Sequence, residues 1–233
     1  MSDCIALIPA AGSGSRMGDV RPKQYLQLLG RPMLLHTAER LCAHARLRAV
    51  YVALSPQDRL FSSLETSRVA GKLHPLYCGG ESRAHTVRNA LEELRPRVSD
   101  ADWILVHDAA RPCLAVELID RLIDELEQDE VGGLLAVPVA DTLKRADRAQ
   151  RVVDTVSRDG YWQAQTPQMF RYALLQRALA AADLALVTDE AGAVEALGLS
   201  PRLVSGSTAN IKVTFPQDFA LAEAILRMQG VRE

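Results

Sequence analysis

The densest chemistry in the chain lies at Pro9-Ala10-Ala11-Gly12-Ser13-Gly14-Ser15-Arg16-Met17-Gly18, directly after a short apolar run. Gly12 and Gly14 carry no side chain, so backbone N–H groups there can approach a phosphate chain. Two familiar loops do not fit. A dinucleotide fingerprint needs a third small residue where Met17 stands. A Walker A loop ends in Gly-Lys-Ser/Thr, which neither Arg16 nor the more distant Lys23 supplies. The glycine string alone is also compatible with an ordinary turn. Pro22-Lys23-Gln24-Tyr25 adds a second cation to the same loop. Arg16 offers a planar fork and Lys23 a compact point charge, a combination suited to a triphosphate.

Three further segments carry chemistry. In Gly79-Gly80-Glu81-Ser82-Arg83 the glycine pair allows backbone to approach a flat base, and Ser82 can cap a helix; a plain turn and cap would look the same. An apolar WILV run leads into His107-Asp108-Ala109-Ala110-Arg111-Pro112. Asp108 then stands at the carboxyl end of a strand, the edge where open α/β sheets bind ligands. It can hold Mg²⁺ or orient a hydroxyl, and Arg111 can receive an anion; a buried ion pair between them is the alternative. His107 reads as a packed, hydrogen-bonded imidazole rather than a base. Lys212, between two apolar residues in Asn210-Ile211-Lys212-Val213-Thr214, reads by itself as a solvated edge-strand lysine.

The elements that must position these residues alternate. Apolar runs at 4–9, 49–54, 73–78, 103–106 and 134–139 are short enough for buried strands. Between them, 32–43, 56–69, 82–94 and 116–126 show helical spacing of apolar residues. This predicts an α/β fold, a Rossmann-like, doubly wound, mostly parallel sheet. The pattern changes after Asp141. Segments 142–145 and 151–157 read as two strands around a turn, with Arg145, Arg148 and Arg151 and few apolar residues. A hairpin without its own core tends to find a partner, so a dimerisation arm is expected at about 139–160, inserted in a single domain over 1–233. Helices at 172–182, after Thr188 and from Pro216, and a strand near 202–204, complete the reading.

The chain has 233 residues, 48% hydrophobic and 24% charged, with a net charge of -2. At this length folding hides roughly 70% of the extended chain's surface, enough for a full core. The near-neutral charge excludes a global basic field, and the arm's arginines alternate with Asp141, Asp147 and Asp154 without aromatic stacking partners, so no nucleic-acid partner is expected. Cys4, Cys42, Cys78 and Cys113 are widely spaced without a CxxC pair, which argues against zinc or a disulfide scaffold. No basic leader precedes the first apolar run and no long apolar stretch exists, so a cytoplasmic protein with no membrane partner is expected.

Taken in order, PAAGSGSRMG, PKQYL, GGESR, VHDAARP, DTLKR, TPQMF, TDEA and NIKVT resemble the 2-C-methyl-D-erythritol 4-phosphate cytidylyltransferases of the non-mevalonate isoprenoid pathway, across nearly the whole chain. The resemblance implies a homodimer that joins CTP and methylerythritol phosphate to a CDP-alcohol and releases pyrophosphate with a divalent metal such as Mg²⁺. Arg16 and Lys23 match the pair that stabilises the transition state. Lys212 and Arg158 match the pair that positions the acceptor phosphate, with Arg158 and Thr142 reaching the neighbouring subunit's site. Asp108, Arg111, Thr142 and Thr166 match acceptor contacts; Ala11, Gly12, Gly80, Glu81 and Thr86 match the nucleotide site. Asp108 is also the likeness's nearest carboxylate for the metal, directly or through water. Thr86 stands where serine is usual, Glu81 where aspartate is frequent, Ser15 where some members have arginine, and His85 replaces a common acidic residue. Other readings are a cytidylyltransferase for another polyol phosphate such as ribitol 5-phosphate, a sugar-1-phosphate nucleotidyltransferase using UTP or GTP, and a non-catalytic nucleotide-binding regulator.

Overall fold

Strand β1 (Cys4–Pro9) opens the chain, and its alternate residues serve opposite faces of one sheet. Ala6 and Ile8 join the core on one side, Ile5 and Leu7 the core on the other. The computed structural model describes residues 2–12, 22–67, 69 and 71–231. After β1 come a 3₁₀ turn (Lys23–Tyr25), the small hairpin β2 (Gln27–Leu28) and β3 (Arg31–Pro32), and helix α1 (Met33–Cys42). Then follow β4 (Leu47–Ala53), β5 (Leu73–Leu76), α2 (Arg83–Leu94), β6 (Trp103–Val106), α3 (Val116–Leu126) and β7 (Gly133–Pro138). The remainder is β8 (Leu143–Ala146), β9 (Val152–Val156), β10 (Trp162–Arg171), α4 (Tyr172–Ala181), α5 (Glu190–Glu195), β11 (Arg202–Ser205) and α6 (Asp218–Met228).

Among the described residues, seven strands form the main sheet in the order β11-β7-β10-β6-β1-β4-β5. β1 pairs in parallel with β4 and β6, β4 with β5, and β7 with β11; β10 runs antiparallel between β6 and β7. The predicted mostly parallel α/β sheet is therefore present. Helices α1 and α3 cover one face through Leu34, Ala38, Leu41, Leu118 and Leu122. Helices α2 and α4 cover the other through Val87, Leu91, Leu175 and Leu179. The chain moves outward from β1 through β4 to β5, then returns to β6 on β1's other side. That reversal parts the loops at the carboxyl ends of β1 and β6 and opens a crevice there.

One expectation needs correction. The predicted helix over 56–69 is one short 3₁₀ turn, Phe61–Ser63. Asp58 Oδ1 accepts from the N–H groups of Leu60 and Phe61, and the hydroxyls of Ser62 and Ser63 bond to nearby carbonyls. Such local side-chain bonds compete with helix propagation. After the β8–β9 hairpin, β10 runs from Trp162 to Arg171 as one antiparallel insertion. Its register against β7 slips between Ala164 and Gln168, the stretch that contains Thr166.

β8 and β9 pair only with each other, and nearly all their residues are exposed. Among the described residues no helix is long and apolar enough to cross a membrane. All four cysteines are free.

Candidate functional site

A cleft of about 510 Å³ occupies the crevice and is lined by Ala11, Gly12, Lys23, Gly80, Glu81, Thr86, Asp108 and Lys212, together with Gln24, Ser82 and Arg83. Residues 200 positions apart in sequence thus share one concavity. Arg16 and Ser15 lie outside the described residues.

One wall of the cleft is built by close backbone approach. A Cβ on Gly79 would lie 2.3 Å from the Ala11 Cβ and 2.8 Å from the Leu54 carbonyl oxygen. Only glycine lets the loop after β5 lie against the loop after β1, and the Gly79 N–H donates to Leu54 O at 2.8 Å. At Gly80 a Cβ would meet the His85 Cβ at 2.6 Å. The Gly80 N–H donates to Thr86 Oγ1 at 3.1 Å, and the Thr86 hydroxyl donates to Ser82 O at 3.0 Å. Thr86 thus supplies the hydroxyl that serine would. Ser82 caps α2 by accepting from the His85 N–H, and its Oγ lies 2.8 Å from His85 Nδ1.

Lys23 is held at the mouth by a turn that Gln24 anchors. The buried Gln24 amide donates to Ala10 O at 2.7 Å, tying the turn to the end of β1. Tyr25 is buried and donates its hydroxyl to Asp58 Oδ2 at 2.7 Å. The Lys23 ammonium donates to Val213 O. Gln24 and Tyr25 stood in the quoted motif without a role; one polar residue flanked by a cation and an aromatic was the only available signal.

The floor is a row of alternating charges. Asp108 is 7% exposed. Its Oδ1 accepts from Arg83 Nε at 2.9 Å, its Oδ2 pairs with Lys212 Nζ at 2.7 Å, and Arg111 Nε stands 4.0 Å from Oδ2. Burial pushes the Asp108 carboxyl up, but Arg83, Lys212 and Arg111 outweigh it and hold it well below the usual carboxylate range. Arg83 in turn gives its two terminal nitrogens to Glu190, at 2.6 and 2.9 Å. Burial disfavours the Arg83 charge, and Glu190 and Asp108 together more than restore it. Lys212 is exposed, as its local pattern suggested, but it lies in no strand and its ammonium faces Asp108.

Arg111 and Thr166 form the scaffold beneath that row. Arg111 donates to Asn210 O at 2.7 Å and Ala164 O at 3.3 Å, so it fastens the Lys212 segment to β10. Burial lowers the Arg111 pKa against the opposing pull of Asp108. The buried Asn210 amide donates to Thr166 O at 2.9 Å. Thr166 Oγ1 accepts from the Asp108 N–H at 3.0 Å. His107 is fully buried, with Nε2 3.1 Å from Arg111 O and Nδ1 3.0 Å from Thr166 Oγ1. A carbonyl only accepts, so Nε2 carries the proton and Nδ1 accepts from the Thr166 hydroxyl. Burial lowers the imidazole pKa to about 4. His107 is a neutral structural group, as its setting suggested.

Thr142 and Arg158 stand apart from this cleft. Both are exposed and flank the open end of the β8–β9 hairpin, where Leu143 pairs with Val156, and Arg158 donates to Ala140 O. Among the described residues no three His, Cys, Asp or Glu side chains gather as a metal cage. Mg²⁺ is commonly held by one or two carboxylates plus substrate phosphates. Asp108, a cleft carboxylate that stays ionised, meets that smaller requirement.

Comparison with known proteins agrees with this geometry. The family model for 2-C-methyl-D-erythritol 4-phosphate cytidylyltransferase matches residues 4–228. The cytidylyltransferase of that name from Nitrosospira multiformis is 57% identical over 97% of this chain and 99% of its own, and that from Azoarcus sp. is 57% identical over 98% and 96%. The crystal structure of a 4-diphosphocytidyl-2C-methyl-D-erythritol synthase superposes with a TM-score of 0.86 at 42% identity, covering 97% of this chain and 99% of that one. The Francisella tularensis cytidylyltransferase gives 0.81 at 34%, covering 96% and 100%. With a glycine-walled cleft, a lysine at its mouth and a charge-alternating floor in place, the chain belongs to the 2-C-methyl-D-erythritol 4-phosphate cytidylyltransferase family.

Proposed function

We infer that this protein transfers the cytidylyl group of CTP to 2-C-methyl-D-erythritol 4-phosphate, giving 4-diphosphocytidyl-2-C-methyl-D-erythritol and pyrophosphate. The observation that carries the chemistry is the convergence of Lys23, Gly80, Asp108 and Lys212 on one cleft at the reversal point of the sheet; the family carries the substrates. A phosphate monoester has its second pKa near 6, so the acceptor is already largely a dianionic nucleophile at neutral pH and needs no general base. An acceptor phosphate oxygen attacks the α-phosphorus of CTP in line. A new P–O–P bond forms as the bond to the β-phosphate bridging oxygen breaks, and pyrophosphate leaves with that electron pair. The work left to the protein is positioning and neutralisation of charge.

Each group then has a part. Gly80 admits the cytosine ring, Ala11 and Gly12 approach the nucleotide with backbone, and Glu81 and Thr86 complete that wall. Lys23, with Arg16, neutralises charge growing on the α-phosphoryl oxygens and the leaving pyrophosphate. Lys212 draws the acceptor phosphate and Asp108 serves its polyol, while Arg111 and Thr166 hold the Lys212 segment and Asp108 in place from beneath. When a divalent cation such as Mg²⁺ is bound it supplies charge neutralisation between phosphates, and Asp108 is the residue that would hold it.

The reading includes a homodimer in the cytoplasm. The β8–β9 hairpin exposes Val152 (63%) and Val153 (54%) with no core of its own, which is costly for an isolated chain. A partner's hairpin would bring Arg158 and Thr142 to the acceptor. Sedimentation at micromolar concentration tests this: a dimer is expected, and a monomer removes the arm's role. The reaction itself is tested by pyrophosphate release with CTP, UTP, ATP and GTP against methylerythritol phosphate and ribitol 5-phosphate. Turnover with the CTP–methylerythritol phosphate pair is expected. Preference for ribitol phosphate changes the acceptor, and CTP binding without turnover makes the protein a nucleotide-binding regulator.

A further inference from the structure

We propose that Glu190 is a positioning residue for the transfer reaction: by occupying both terminal nitrogens of Arg83, it leaves Asp108 with one oxygen free for a second cation. Glu190 is the first residue of α5 and is 1% exposed. It does not line the cleft. The start of its helix is nevertheless tightly set. The buried Gln168 of β10 donates to Asp189 Oδ2 at 2.9 Å and accepts from the Ala191 N–H at 2.8 Å, bracketing Glu190 on both sides. Asp189 caps the same helix through the Gly192 N–H at 2.9 Å. Two flanking contacts to a central strand place the Glu190 carboxylate against Arg83.

A guanidinium presents a rigid fork, and its favoured match to a carboxylate is bidentate. Arg83 makes that match with Glu190, so only Nε remains for Asp108, on Oδ1. Oδ2 is thereby left to Lys212 at 2.7 Å. Without Glu190, the fork would be drawn onto Asp108 itself and compete with Lys212 for both oxygens. Glu190 thus divides one buried carboxylate between two cations, at 107 residues' separation from Arg83. Burying a third charge for stability alone would be an expensive choice, since such pairs often do no better than apolar packing.

This inference rests on the cytidylyltransferase reading, and the experiment separates the two. Wild-type protein that releases no pyrophosphate sinks that reading; the outcomes below sink only the role of Glu190. Glu190→Gln is expected to raise the acceptor KM and lower kcat, with kcat/KM for the acceptor falling about tenfold, while CTP binding by calorimetry stays near wild type. In an Asp108→Asn background the same substitution should add little, because Glu190 acts through that carboxylate. An additive loss in both backgrounds indicates a general structural role and overturns the proposal. So does wild-type acceptor kinetics. Glu190→Asp guards against misfolding: it keeps the charge but falls one methylene short of a two-nitrogen grip. It is expected to melt near wild type with an intermediate acceptor defect. Unaltered kinetics in Glu190→Asp, or failure of both variants to fold, assigns Glu190 to folding alone.

Discussion

Arg83 meets Asp108 at 2.9 Å in the cleft floor, and Arg145 meets Asp154 at 2.8 Å on the β8–β9 hairpin. The contacts are nearly identical in length and chemistry. Their surroundings are opposite: side-chain exposures are 27% and 9% in the cleft, 65% and 45% on the hairpin. Water and salt screen the second pair, and holding two long side chains together costs entropy that offsets the attraction. In the cleft the same charges are screened far less, each is tied to a further partner, and removing one strands the others. Charge pairing by itself therefore says little about which residues matter. Burial and connection to a network decide it.

That contrast can be broken or sharpened in order of expected effect. Lys23→Ala should lower kcat by about 10²-fold or more, the effect of one preorganised charge contact, with CTP affinity falling less. Steady-state turnover near wild type would remove Lys23 from the mechanism. Lys212→Ala should damage use of the acceptor; unchanged acceptor KM and kcat would contradict its place opposite Asp108.

His107 tests the floor by pH. Its folded-state pKa is about 4, below the 6.5 of an unhindered imidazole. Below pH 6.5 the unfolded chain takes up a proton that the folded chain refuses, so stability falls as pH drops toward 4, by up to about 3 kcal/mol. Urea unfolding midpoints should decline over that window, and less so in His107→Gln, which keeps a donor for Arg111 O. Parallel declines would mean that the ring is not a buried neutral group. Asp108 behaves oppositely in range. Its depressed pKa contributes stability that is complete above pH 4 and is lost only as pH falls further through the folded-state value. The stability gap between wild type and Asp108→Asn should therefore hold constant from pH 7 to 5 and narrow in stronger acid.

The smallest effect is expected on the hairpin. Arg145→Ala should leave the thermal midpoint of the chain unchanged within error. A clear drop that depends on protein concentration would mean that the partner copy inferred from Val152 and Val153 covers this pair as well.

Legibility followed the same division. Strands apolar on both faces, such as Trp103–Val106, were readable because only a doubly covered sheet hides them. α3 was readable to the residue, since Leu118, Ile119, Leu122, Ile123 and Leu126 form one stripe. The stretch 56–69 shows similar spacing yet stays out of helix, because Asp58 and the serines offer its backbone nearer partners. The antiparallel course of β10 was not legible: a continuous buried run looks alike in either direction, and only its neighbours β6 and β7 set it. In the site, Lys23, Gly80 and Asp108 could be named from motif and type, and Lys212 only through the family resemblance. Glu190 could not, because Thr188-Asp189-Glu190-Ala191 reads locally as a helix cap.

Residue type and local order were sufficient for the kinds of chemistry on offer: glycines where backbone must come close, cations for phosphates, a carboxylate after a buried strand. These are properties of side chains and of neighbours a few positions away, so they survive in a linear string. Which cation faces which carboxylate was settled only by the packed sheet. The reversal of strand order parts the loops after β1 and β6 and opens the cleft, β10 holds Thr166 against Asp108, and α5 carries Glu190 to Arg83. Electrostatic energy depends on distance and on the exclusion of water, and neither exists until the chain has folded.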